Sequence, residues 1–243
     1  MAGMTKRIAL VALLTGSMLL LGGCEQLKET GWLEQEETWK PAGNAAVSVT
    51  RDGQITEYLK DTLDEAYYSA AELQKMITAE VAEYNSQNGA DSIVVEDFTA
   101  EGSKVQVTLT YQSAADYAEF NRVECYSGSM IGAQMAGYLF DTDFYRVRDG
   151  SVQETPVSGS AVYRNMAAEV LIITAPLEVH VPGTVVMTSA NAQMLSADTV
   201  DASGLEAERE KEALVLPSNA VYEGEEKSFE ERAAANRVYI IYE

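Results

Sequence analysis

The pattern of apolar and polar positions divides the chain after residue 44 into short alternating runs and one long helical period. Ala45 to Thr50 and Gln54 to Lys60 flank Arg51-Asp52-Gly53, and Asp-Gly between strand-like runs predicts a tight antiparallel hairpin. A helix is predicted from Ala70 to Gln87. Ser69 and Glu72 form a capping box, Tyr68 and Leu73 a hydrophobic staple, and Asn88-Gly89 the stop. Leu73, Ile77, Val81 and Tyr84 recur at helical spacing and define the face expected to lie on a sheet. A second hairpin follows, Ser92 to Phe98 and Lys104 to Tyr111, turning at Glu101-Gly102. Val105, Val107, Leu109 and Tyr111 alternate with Gln106, Thr108 and Thr110, the pattern of a strand buried on one side. Ser113 and Asp116 cap a shorter helix, Ala114 to Phe120.

The second half is less regular. Gly128 to Gly137 is rich in small residues and reads as a helix or a close-packed connection. Phe144 to Arg148 reads as a strand and Asp149 to Gly159 as a loop. Glu169 to Thr174 and Leu177 to Met187 read as strands, the latter divided by a tight turn at Pro182-Gly183. Residues 201 to 213 and 223 to 237 are charge-dense and predict short surface helices, the second capped by Ser228 and Glu231. Val238 to Tyr242 is apolar and β-prone, and would tie the chain end into a sheet. The order of elements predicts an α+β fold: antiparallel sheet or sheets, with a long capped helix and a shorter helix packed on one face. The pattern leaves open whether residues 44 to 160 and 161 to 243 are separate subdomains.

The first 24 residues obey a different logic. Lys6 and Arg7 precede an apolar run from Ile8 to Leu21, and small residues precede Cys24, the three parts of an export leader. The run, residues 8 to 21, is interrupted by Gly16 and Ser17 and falls short of the roughly 18 to 20 residues that cross a bilayer. It is expected to be removed. Leu21-Gly22-Gly23-Cys24 resembles the cleavage motif of bacterial membrane lipoproteins, in which an aliphatic residue and small residues precede an obligatory cysteine. That resemblance implies a signal peptide over residues 1 to 23, recognised through Leu21, Gly22 and Gly23. It also implies covalent diacylglycerol on Cys24, a new amino terminus that is often acylated as well (palmitate, for example), and a place on the outer face of the cell membrane. An ordinary secretory signal is the alternative. Residues 24 to 43 read as an acidic tether, with Glu25, Glu29, Glu34, Glu36 and Glu37, closed by Pro41-Ala42-Gly43. Its Trp32 and Trp39 either sit at the lipid interface or fold back on the domain.

Composition narrows the partners. Cleavage before Cys24 would leave residues 24 to 243, enough for one large or two small domains, and a hydrophobic fraction of 47% is that of a globular chain. The formal net charge is −21, and loss of Lys6 and Arg7 makes it two units more negative. Such a surface repels nucleic acid, anionic lipid and anionic wall polymers. Only Cys24 and Cys125 are present, so a lipidated Cys24 leaves no disulfide.

Catalytic signatures are weak. His180 is the only histidine, so any Ser-His-Asp or Cys-His site must use it. It falls on a predicted strand whose Leu177, Val179 and Val181 take one face, which puts Glu178 and His180 on the wet face. Cys125, in Arg122-Val123-Glu124-Cys125-Tyr126, reads as a buried, inert thiol. One His and one available Cys cannot build a common structural zinc site. Asp141-Thr142-Asp143 starts like a calcium loop, but Tyr145 and Arg146 stand where that loop needs Asp or Asn and then Gly. No metal site and no cofactor beyond the lipid are expected. Glu96 with Asp97, or Asp141 with Asp143, could form a carboxylate pair of the kind that hydrolyses glycans, though a solvated surface is the simpler reading. Tyr67 and Tyr68 could form a carbohydrate or peptide platform, against a core reading for tyrosines in general. Glu83-Tyr84-Asn85 and Asp116-Tyr117-Ala118-Glu119-Phe120-Asn121 are similar to segments of uncharacterised lipoproteins of Gram-positive anaerobes, over about residues 55 to 145. That group carries no activity to transfer. The expectation is a lipid-anchored cell-envelope protein whose domain binds or scaffolds an envelope protein or glycan without catalysis. A carboxylate-dependent hydrolase of wall glycan is the alternative. A transporter's substrate-binding subunit is disfavoured, because alternating βα units are absent from the pattern.

Overall fold

The computed structural model describes residues 39 to 65, 67 to 202 and 237 to 243. Leu21 to Cys24 and Trp32 lie outside the described residues, and so do the helices expected over 201 to 213 and 223 to 237 apart from residues 201, 202 and 237, of which Asp201 ends a strand instead of starting a helix. The elements in chain order are β1 (Ala45–Val49), β2 (Ile55–Thr62), α1 (Ala70–Asn88), β3 (Ile93–Glu101), β4 (Lys104–Tyr111), α2 (Ala114–Asn121), β5 (Cys125–Ser129) and α3 (Met130–Met135). They continue with β6 (Phe144–Arg148), β7 (Ser151–Val157), α4 (Gly159–Val162), β8 (Glu169–Ile173), β9 (Glu178–His180), β10 (Val185–Ser189), β11 (Gln193–Met194), β12 (Thr199–Asp201) and β13 (Val238–Tyr242).

The fold is α+β, and the described residues form two largely antiparallel sheets. One sheet has the order β11-β12-β9-β1-β2-β4-β3, the other β5-β8-β13-β10-β6-β7. Both draw strands from either side of residue 160. Both expected hairpins form: β1 pairs with β2 and β3 with β4, each antiparallel. The exception is β1 with β9, which run parallel. On β4 the alternation is obeyed, with Val105, Val107, Leu109 and Tyr111 buried. The long helix starts where its cap predicts, the Glu72 N–H donating to Ser69 Oγ at 3.4 Å. It lies on β3, with Val81 buried and Ile77 and Tyr84 packed against the core.

Two expectations are corrected. Residues 151 to 157 are not loop but strand β7, joined to β6 by Asp149-Gly150, with φ of 50° and 71°. Positive φ at both turn residues is the two-residue hairpin geometry that Asp-Gly favours. Pro182-Gly183 is not a hairpin turn. It is a crossover, because β9 belongs to the first sheet and β10 to the second. There the chain runs against Glu243, and a Cβ on Gly183 would collide with the Glu243 carbonyl oxygen.

The two sheets share a core. Val47, Val49, Ile55, Leu109 and Val179 of the first meet Leu171, Ile173, Val238 and Ile240 of the second. A second core lies on the other face of the second sheet, where Val170, Ile172, Tyr239 and Ile241 pack beneath Met130, Ala133, Phe140 and Val162. β8 and β13 are therefore apolar on both faces, which is why they read as continuous runs without alternation. Among the described residues no helix is long and apolar enough to cross a membrane.

Candidate functional site

On the first sheet, the pleat that sends Val47, Val49 and Val179 inward turns Ala46, Ser48, Tyr58, Glu178 and His180 outward. This outer face is covered rather than wet. Residues 39 to 44, read from composition as the end of the tether and the start of the domain, lie across it. The Trp39 ring stacks on His180 at 4.9 Å and 15°, and meets Tyr58 edge-on at 5.8 Å. The N–H groups of Ala42 and Gly43 donate to Glu178 Oε2 at 3.1 and 3.0 Å. Lys60 Nζ donates to the Pro41 carbonyl at 3.1 Å. Glu178 is buried as a result, and Ala46 fully so.

At the centre of this joint stands the single histidine. Ser48 Oγ lies 3.1 Å from His180 Nδ1, and Asp198 Oδ2 lies 3.7 Å from Nε2. With Nδ1 accepting the Ser48 hydroxyl proton, the Nε2–H faces Asp198. Burial pulls the His180 pKa below its ordinary value, against the opposing pull of Asp198 and Glu178. Burial also pushes Asp198 up, but hydrogen bonds from Ser196 and Thr199 and the nearby imidazole outweigh it and hold the carboxyl below its usual range.

The residue types are those of a serine hydrolase, but the surroundings are not. Ser48 sits inside a strand paired on one side with β2 and on the other with β9. Backbone N–H groups beside its Oγ are committed to these ladders, whereas acyl transfer needs such donors aimed at the developing oxyanion. The indole covers one face of the imidazole. The arrangement is suited to fastening residues 39 to 44 to the sheet.

A pH dependence follows from the lowered His180 pKa. The neutral ring is favoured in the docked state, so this contribution is fully present above the ordinary value near 6.5 and is lost as pH falls through the lower, docked value. Fluorescence of Trp39, read in a Trp32→Phe background, is expected to shift toward that of solvated indole as pH falls below 6.5 and through the lower, docked value. The same variant carrying His180→Gln is expected to show no such transition.

The other candidates are placed as follows. Cys125 is buried on β5, its thiol pushed up to about 12 by burial and by Glu124. Glu96 and Asp97 are exposed at a bulge in β3, and Asp141 and Asp143 are exposed before β6. Tyr67 and Tyr68 are exposed too, 73% and 51%, with rings in edge contact at 4.7 Å, so the core reading fails for this pair while it holds for Tyr111, Tyr117, Tyr239 and Tyr242. Among the described residues no group of three or more His, Cys, Asp or Glu is placed to hold a metal.

Among the described residues, one interior acid stands outside those singled out from the sequence. Glu57 is buried, accepts the Tyr111 hydroxyl at 2.6 Å, and Asn121 Nδ2 in turn donates to the Tyr111 oxygen at 3.1 Å. Burial raises its pKa, and the Tyr111 hydrogen bond works against the rise. The signal for it is present, since Glu57 falls between Ile55 and Leu59 on the inward face of β2.

Comparison with family models, curated proteins and solved structures finds no match to this chain.

Proposed function

We propose that the protein is a lipid-anchored, extracytoplasmic cell-envelope protein whose acidic α+β domain binds or scaffolds at the membrane surface. The observation that carries the anchor is Leu21-Gly22-Gly23-Cys24 behind a basic and apolar leader, and two acyl chains on Cys24 would hold it stably. The joint at Trp39 supports the same reading. It fixes residues 39 to 44, the end of the expected tether, against the outer face of the first sheet.

What supports binding over catalysis is how the buried and half-buried ionisable groups are used. Glu178 holds the backbone of Ala42 and Gly43, His180 carries Trp39, Glu57 is engaged by Tyr111, and Arg237 meets Glu124 at 2.7 Å. Each of these groups is committed to the fold, and the carboxylate pairs named for glycan hydrolysis are exposed.

The test is fractionation of cells producing the Cys24→Ala variant. The wild-type protein is expected in the membrane fraction and the variant in the soluble fraction. Retention of the variant in membranes at the wild-type level contradicts the proposal.

A further inference from the structure

The edge of the first sheet beside α1 has the features of a docking site for an extended chain. β3 is the terminal strand of that sheet. The Ser92 carbonyl accepts from the Gln112 N–H on the β4 side, so the pleat turns the N–H and C=O of Ile93 outward, away from β4. Asn85 of α1 already engages both. Its Oδ1 accepts from the Ile93 N–H at 2.9 Å, and its Nδ2 donates to the Ile93 carbonyl at 2.8 Å. A side-chain amide thus occupies the place of one residue of a neighbouring strand. Two residues on, Val95 turns its N–H and C=O the same way, into an open groove of about 680 Å³ lined by Thr78, Val81, Ala82, Asn85, Ser86 and Val95.

Charge selects the occupant. Glu96 and Asp97 stand exposed at the bulge that follows Val95, on a chain of net charge −21. A second copy of this edge would bring like charges together, so self-pairing is opposed. An extended basic segment meets opposite charge instead. We infer that the β3 edge and the α1 groove bind an extended, basic segment of a partner polypeptide by strand addition, continuing from the Asn85 amide along Val95. This takes the binding role proposed above as given and names the partner's chemistry.

The probe is a synthetic eight-residue peptide of alternating lysine and valine, titrated against the full chain in detergent micelles. An alternating glutamate and valine peptide and a lysine and valine peptide interrupted by a central proline serve as comparisons. Exchange of the Val95 amide is expected to slow about tenfold or more when the basic peptide binds. Ala82→Arg, which fills the groove, and the pair Glu96→Lys with Asp97→Lys are each expected to weaken binding about tenfold or more. All three positions are exposed, so these variants keep the fold. The inference is overturned by no binding at about 1 mM peptide, by equal binding of the proline-interrupted peptide, or by unchanged affinity in both variants. Any of these with Cys24 lipidated removes strand addition alone, whereas intact peptide binding with Cys24 unmodified removes the anchor alone.

Discussion

A chain ended after Arg237 is expected not to fold. The missing strand, β13, lies between β8 and β10, and all five of its residues are buried. Val238, Ile240 and Tyr242 enter the core shared by the two sheets, while Tyr239 and Ile241 enter the second core. At about 1.5 to 3 kcal/mol for each large apolar side chain, their burial contributes on the order of 10 kcal/mol, which matches the whole net stability of an ordinary domain. The loss does not stop there, because β8 and β10 would face each other across an empty lane with one side of each ladder unpaired. Near-ultraviolet circular dichroism and a thermal melt of the truncated chain check this. A cooperative transition within a few degrees of the full-length protein would show that the second sheet does not depend on β13.

The second large effect concerns Glu57. Its folded-state pKa is raised above 4.5 by burial, so the protonated form is favoured in the folded state. The contribution is fully present below the unfolded value and is lost as pH rises through the folded value. Glu57→Gln is therefore expected to be more stable than wild type at neutral pH and to lack the decline that wild type shows from about pH 4.5 upward. Tyr111→Phe acts in the opposite direction. It leaves a buried carboxylate without its 2.6 Å donor, at a cost of about 1.5 to 3 kcal/mol at neutral pH. Thermal denaturation of the three proteins between pH 4 and 8 separates these effects, and parallel curves for wild type and Glu57→Gln would rule out the buried acid as their origin.

Local chemistry is legible in the sequence, and long-range placement is not. Ser69, Glu72 and Gly89 mark α1 because caps act within a turn or two of the chain, and Asp52-Gly53 marks the first hairpin for the same reason. Asp149-Gly150 carries an equal signal, yet the pattern reads β7 as loop. Its residues from Ser151 to Pro156 are all exposed, and an edge strand wet on both faces has no alternation to reveal it. Pro182-Gly183 misleads in the other direction. Two apolar runs about a turn look like a hairpin, and only the pairing of β9 with β1, more than 130 residues away in sequence, shows that they part company.

The joint around His180 shows the same division. Alternation correctly sets Glu178 and His180 apart from Leu177, Val179 and Val181. It does not show that Trp39 covers that face, or that Ser48 and Asp198 arrive on either side of the ring. Glu57 is the instructive case between the two, since the period-two pattern of Ile55, Glu57 and Leu59 by itself places an acid on the inward face.

Mass spectrometry of the amino-terminal peptide from the membrane fraction decides whether the proposed lipid on Cys24 holds this domain at the membrane. Cys24 is expected as the first residue, carrying diacylglycerol. Recovery of peptides that run through Gly22-Gly23-Cys24 uncleaved, or of an unmodified Cys24, would contradict it.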